Sequence, residues 1–153
     1  PVCRTLDGMG DTDAFAGAIP QHYDSKLGPM FFEPYAEDLA RRLPAHAQRV
    51  LETAAGTGVV TGHLLARLGA DARVVVTDLQ DSMLELARAK YGNDPRVEFR
   101  QADATSLPFD DRSFEAVVCQ FGVMFFADRL AGLREARRVL THDGVLLMST
   151  WGA

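Results

Sequence analysis

"LETAAGTGVVTG", residues 51–62, decides how this chain is to be read. It closes a short apolar run, bends through Gly56 and Gly58, and opens a stretch whose apolar residues recur at helical spacing. A glycine turn between a strand and a helix lets a ligand meet backbone N–H groups with no Cβ in the way.

Downstream, strands and helices alternate. "RVLET" (49–53) reads as a strand and "GVVTGHLLARLG" as a helix, with Gly69 at the C-cap position. "ARVVVTD" (72–78) is a β-branched strand whose unbroken apolar run suits a sheet covered on both faces. "DSMLELARAKYG" is the next helix, with Asp81 or Ser82 as N-cap and Gly92 as stop. "RVEFRQAD" (96–103) and "SFEAVVCQF" (113–121) are the third and fourth strands. A helix over 128–140 opens at Asp128, "THDG" makes a turn, and "VLLMSTW" (145–151) is the fifth strand. Upstream, Phe32, Tyr35, Ala36, Leu39 and Leu43 form an apolar helical stripe that Pro44 ends. Such alternation predicts parallel βαβ units and a doubly wound α/β sheet in one domain, over 14–153, behind a loose Gly/Asp-rich leader at 1–13.

Composition narrows the function classes. The chain has 153 residues, 47% hydrophobic and 24% charged, as an ordinary globular domain does. A net charge of −5 argues against a nucleic-acid partner. No apolar run is long enough to span a bilayer and no signal-peptide core is visible, so no membrane partner and a cytoplasmic location are expected. Cys3 and Cys119 form no CxxC pair, and His22, His46, His63 and His142 lack metal-ligand spacing, so no metal is expected. Cys119 reads as a core residue, His63 as structural, and Arg134, Arg137 and Arg138 as a solvated helix face.

In a parallel sheet, ligands bind beyond the C-terminal ends of the strands. Glu52 and Thr53, Asp78, Asp103 and Gln120 stand there. The acids are 26 and 25 residues apart, one βα unit each, which sets three carboxylates along one edge beside the glycine loop. Asp78 is placed to accept from ribose hydroxyls, Asp103 from a base amino group, and the Ala104 N–H to donate to a ring nitrogen. Leu79 and Met83 offer apolar faces to an aromatic ring. A dinucleotide loop would want a third glycine at position 61; Thr61 stands there and Gly62 comes one residue late.

These motifs, in this order over residues 14–151, resemble the class I S-adenosylmethionine-dependent methyltransferases, and most of all the small-molecule group of ubiquinone/menaquinone biosynthesis. "VLETAAGTG" resembles the first motif, "VVVTDLQDSMLELAR" the second-strand motif and "FRQADATSLPFDDRSFEAVVCQFGVMFF" the adenine-contacting segment with the fourth strand. "LREARRVLTHDGVLLMSTW" and the lead-in "IPQHYDSKLGPMFFEPYAEDLA" are similar to the group's later and earlier segments.

The resemblance implies a Rossmann-like sheet of order 3-2-1-4-5, lacking the family's usual sixth and seventh strands, and S-adenosyl-L-methionine as cofactor. It implies that Gly56 and Gly58 line the methionine portion, Glu52 supports the loop and Asp78 holds the ribose. Leu79 and Met83 would sandwich the adenine, Asp103 and Ala104 would read its edge, and Gln120, Phe121 and Tyr23 would lie at the methionyl end. Ala54 replaces the first glycine of the motif, adding one methyl. The implied reaction is in-line methyl transfer to a small-molecule acceptor, beside an aromatic wall drawn from Phe121, Phe125, Phe126 and Tyr23, with no catalytic base assigned. A cofactor- or nucleoside-binding module without transfer activity is the alternative, and a nicotinamide oxidoreductase a third reading. The chain is expected to be C-terminally incomplete, its fifth strand an open edge that invites pairing into a homodimer.

Overall fold

The computed structural model describes residues 32–151. The leader, most of the lead-in, Cys3, His22 and Tyr23 lie outside them. Helix α1 (Glu33–Arg41) starts with Pro34 in its first turn, where a missing N–H costs nothing. It buries Ala36, Leu39 and Ala40. Tyr35, expected on the buried stripe, is instead 46% exposed, because its ring turns toward Phe121 and Trp151.

The alternation follows as β1 (Arg49–Glu52), α2 (Val59–Arg67), β2 (Arg73–Asp78), α3 (Asp81–Tyr91), β3 (Val97–Gln101), β4 (Phe114–Gln120), α4 (Arg129–Val139) and β5 (Leu140–Ser149). The five strands form one parallel sheet in the order β3-β2-β1-β4-β5, as expected. Leu51 of the central β1 sits between Val75 of β2 and Val117 of β4.

Side-chain alternation divides the core. Val50, Val74, Val76, Ala116 and Val118 pack under α1, α2 and α3, while Leu51, Val75 and Val117 pack under Leu107 and α4. Helices therefore cover both faces, which is why β2 and β4 read as continuous apolar runs.

Four local expectations are corrected. The "THDG" segment is not a turn separate from the fifth strand: β5 begins at Leu140, and the register jumps from Phe114↔Leu140 to Ala116↔Val145. Residues 141–144 are absorbed as a bulge because α4 runs straight into β5 and the extra chain must be taken up within the pairing. The N-cap of α3 is Gln80, not Asp81 or Ser82, since Asp78 Oδ1 already accepts from the Gln80 N–H at 2.8 Å. The C-cap of α2 is Leu68, extended, one residue before Gly69. Asp103 lies two residues beyond β3, in a turn, rather than in the strand. Asp128 does cap α4, accepting from Ala131 N–H at 2.9 Å.

Candidate functional site

The parallel sheet puts Glu52, Asp78 and Gln120 at one edge, and a cleft of about 230 Å³ opens there. Of the residues singled out from sequence, Glu52, Ala54, Gly56, Asp78, Leu79, Met83, Asp103, Ala104, Gln120 and Phe121 line it. Gly58 does not. It caps α2 with a φ of +81°, and a Cβ there would meet Ala87 Cβ and Tyr91 Cε2 at 3.1 Å. Its task is to let α3 pack close behind the loop. Gly62, one position late for a dinucleotide loop, serves the same contact: a Cβ would lie 2.5 Å from the Tyr91 hydroxyl.

Gly56 has a φ of +56° and open space where a Cβ would go, so backbone conformation selects glycine there. Its N–H donates to Asp78 Oδ2 at 2.8 Å. Asp78 thus joins the loop after β1 to the start of α3. Burial raises the Asp78 carboxyl above its ordinary range, against the lowering effect of the Gln80 and Gly56 N–H groups.

Glu52 is fully buried at the inner end of the cleft. Its Oε2 accepts from the Thr61 hydroxyl at 2.6 Å. Thr61, the residue that spoils the dinucleotide pattern, is therefore the partner of this acid. Among the described residues Glu52 Oε1 has no hydrogen-bond partner. Burial pushes the carboxyl up to about 8, held back by the Thr61 bond and pushed further by the nearby Asp78 charge.

Ala54 adopts a φ of +50°. Its methyl presses on Gly122, where a Cβ would come within 2.4 Å of Ala54 Cβ. Replacing a glycine in the loop is tolerated because a glycine faces it. Asp103 is exposed, and its Oδ1 accepts from the Thr105 N–H and hydroxyl at 2.8 and 2.7 Å. Leu79 stands at the rim, 48% exposed, while Met83 is buried beneath.

At the other end Gln120 Nε2 donates to the Phe32 carbonyl at 2.8 Å, tying α1 to the cleft. Phe121 has a φ of +52°. Trp151 stacks on it at 4.2 Å, and Phe32 and Tyr35 meet it edge-on at 5.6 and 5.1 Å. Phe125 and Phe126 line the cleft, with Phe126 also filling the space above Gly132 of α4. Cys119 is buried, as expected, and His63 pairs with Glu33 between α2 and α1.

Sequence reasoning missed Thr61, Gly122 and Trp151, whose roles depend on contacts between distant segments. It also misjudged Arg138. That guanidinium binds Glu135 and Asp111 and donates to the carbonyls of Leu107 and Phe109, so it anchors the segment after β3 rather than lying solvated.

Three carboxylates line the cleft, Leu79 and Met83 give it apolar walls, and no Lys, Arg or His is among the described residues that line it. No group of His, Cys, Asp and Glu suited to a metal occurs among the described residues.

The family model described as "Methyltransferase domain" matches residues 50–144. A demethylmenaquinone methyltransferase of Clavibacter sepedonicus is 43% identical over 105 residues, covering 69% of this chain and 42% of that protein. A ubiquinone/menaquinone biosynthesis C-methyltransferase of Idiomarina loihiensis is 39% identical, covering 65% of this chain and 41% of that protein. The chain thus spans less than half the length of these curated relatives. In fold, it is similar to a SAM-dependent methyltransferase from Aquifex aeolicus, with a TM-score of 0.73 at 19% identity over 86% of this chain and 71% of the other.

Proposed function

The chain belongs to the methyltransferase domain family, and from that premise we propose that the cleft binds S-adenosyl-L-methionine and serves methyl transfer to a small-molecule acceptor. The observation that carries this reading is the row of Glu52, Asp78 and Asp103 along one cleft, beside a loop whose Gly56 N–H is pinned to Asp78.

In this reading Asp78 accepts from the ribose hydroxyls, Leu79 and Met83 hold the adenine, and Asp103 with the Ala104 N–H meets its edge. Gly56 and Ala54 border the methionine portion, Gly58 fixes the loop from behind, Glu52 supports it from within, and Gln120 and Phe121 border the methyl-transferring end. Tyr23, outside the described residues, is proposed to cover the same end. When bound, the cofactor supplies a methyl group on a positively charged sulfur that a nucleophile displaces in line. The chain's own part is alignment and exclusion of water. Phe121, which is buried, with Phe126 and the 58% exposed Phe125, provides an aromatic wall compatible with a cation.

The acceptor proposed is a neutral, largely apolar ring. Among the described residues that line the cleft none is basic, which disfavours an anionic acceptor, and the relatives are named for methylation in quinone biosynthesis. No helix among the described residues is long and apolar enough to cross a membrane. A cytoplasmic enzyme acting without nucleic acid, with copies pairing along β5, completes the proposal.

Calorimetric titration with S-adenosylmethionine, S-adenosylhomocysteine and NAD tests it. Binding of the two sulfur ligands is expected. Tight NAD binding without response to either would overturn the reading.

A further inference from the structure

Three residues of the loop that follows β1, Ala54, Gly56 and Gly58, have positive φ angles of 50°, 56° and 81°. Glycine enters such angles freely and leaves them as freely, so the loop keeps one shape only where its neighbours hold it. They hold it by its peptide groups. The Ala55–Gly56 peptide accepts from the Gly58 N–H at 3.0 Å and donates to Asp78 Oδ2 at 2.8 Å. The Thr57–Gly58 peptide donates to that same Ala55 carbonyl, and its own carbonyl accepts from Lys90 Nζ at 3.0 Å. A trans peptide is planar, so bonds on its two opposite sides fix its orientation. With both of these held, the Gly56–Thr57 peptide between them, where the loop lines the cleft, keeps little freedom.

Lys90 reaches the loop from the last turn of α3. Met83, Ala87, Lys90 and Tyr91 share one face of that helix. Met83 lines the cleft, Ala87 and Tyr91 close on Gly58, and Lys90 meets the Thr57 carbonyl. The face thus runs from the wall assigned to the adenine to the back of the loop assigned to the methionine portion. Thr57 is 3% exposed, so its carbonyl needs a donor from the protein. An ammonium makes a stronger bond to it than a neutral donor would.

We propose that Lys90 is a positioning residue for the amino-acid end of the ligand: bonded to the Thr57 carbonyl, it keeps the loop in the shape that receives that end, while the adenosine end does not depend on it. The inference rests on the reading of the cleft as an S-adenosyl site. Lys90 is not among the residues that line the cleft, and it acts through the Thr57–Gly58 peptide. Without it, that peptide is free to turn, and a ligand must order the loop as well as fill the space beside it.

The test is calorimetric titration of the full chain with two probes. S-adenosylhomocysteine carries adenosine and the amino-acid portion; methylthioadenosine carries the same adenosine without that portion. Lys90→Met keeps the long stem and removes the ammonium. It is expected to bind S-adenosylhomocysteine about fivefold to tenfold more weakly, with affinity for methylthioadenosine changed by less than about twofold. Lys90→Arg, which still brings a charged donor on a long stem, is expected to recover S-adenosylhomocysteine affinity to within about threefold of wild type. Lys90 lies on an exposed part of α3, so both variants should fold, and thermal unfolding checks that. Should Lys90→Met not fold, Lys90→Gln takes its place with the same two probes and the same expected split. Amide exchange over residues 55–58 is expected to quicken in Lys90→Met and to stay slow in Lys90→Arg.

Equal weakening of both probes would make Lys90 a general support of the fold and overturn the inference. Unchanged S-adenosylhomocysteine affinity in Lys90→Met would overturn it too, as would no recovery in Lys90→Arg. Failure of methylthioadenosine alone to bind the wild type would overturn the independence of the adenosine end. All of these leave the cofactor site in place, whereas a wild-type protein that binds neither probe overturns the S-adenosyl reading itself.

Discussion

The Gly56 N–H donates to Asp78 Oδ2 over 2.8 Å, so the loop after β1 is shaped by the acid that ends β2. The other oxygen of Asp78 accepts from Gln80 N–H at 2.8 Å. One side chain therefore sets the loop, starts α3 and faces the cleft. Asp78→Ala is expected to weaken S-adenosylhomocysteine binding more than tenfold, because it strands both the ribose hydroxyls and two backbone donors. It should also lower stability by about 1–3 kcal/mol. Calorimetry and thermal unfolding check the two effects. Unchanged affinity in a folded variant would remove Asp78 from the site.

Glu52 gives the ligand-free protein a pH dependence opposite to that of a salt-bridged acid. Its carboxyl titrates near 8 when folded against an ordinary value of 4.5. Between those limits the folded state holds a proton that the unfolded state has lost, so stability falls as pH rises. The contribution is intact below about pH 4.5 and lost as pH climbs toward 8, at a cost of a few kcal/mol. Glu52→Gln, which stays neutral, is expected to flatten this part of the curve. Its melting temperature relative to wild type should rise steadily from pH 5 to pH 8. A constant difference across that range would contradict the protonated state.

What the sequence made legible here is local. The acids at strand ends, the glycine bend and the βα period all follow from spacing along a few dozen residues, and the parallel sheet turns that spacing into one edge. Thr61 was visible only as a missing glycine, since its bond to Glu52 depends on how α2 folds over β1. Trp151 gave no periodic signal, because it meets Phe121 from a different strand end. The bulge at 141–144 was read as a turn, for a Gly/Asp-rich segment looks the same whether it ends a strand or interrupts its pairing.

Ala54 and Gly122 form a coupled pair. Gly122→Ala would set a Cβ within 2.4 Å of Ala54 Cβ and 2.9 Å of Cys119 Sγ, and a destabilisation of about 2–3 kcal/mol is expected. Ala54→Gly alone removes the strain of a φ of +50° on alanine and should stabilise by about 0.5 kcal/mol after the greater freedom of unfolded glycine is counted. Combined, the two substitutions should cost less than their sum, since the clash with the Ala54 methyl disappears. Denaturant unfolding of the single and double variants gives the coupling; strict additivity would show that the methyl does not press on Gly122.

Arg138 holds the segment that carries Asp103 and Ala104. It donates to the carbonyls of Leu107 at 2.9 Å and Phe109 at 2.7 Å while pairing with Glu135 and Asp111. Glu135 in turn accepts from the Leu107 N–H at 2.7 Å, so the helix α4 grips residue 107 from both its polar groups. Arg138→Ala should cost about 2–3 kcal/mol, because two carbonyls and a half-buried carboxylate lose their partner together. Arg138→Lys should recover little of it, since a single ammonium cannot serve a fork of carbonyls and carboxylates. Hydrogen exchange should quicken over residues 104–112 in both variants, and affinity for S-adenosylhomocysteine should fall severalfold as Asp103 loses its fixed position. Faster exchange with unchanged affinity would mean that Asp103 takes no part in holding the ligand.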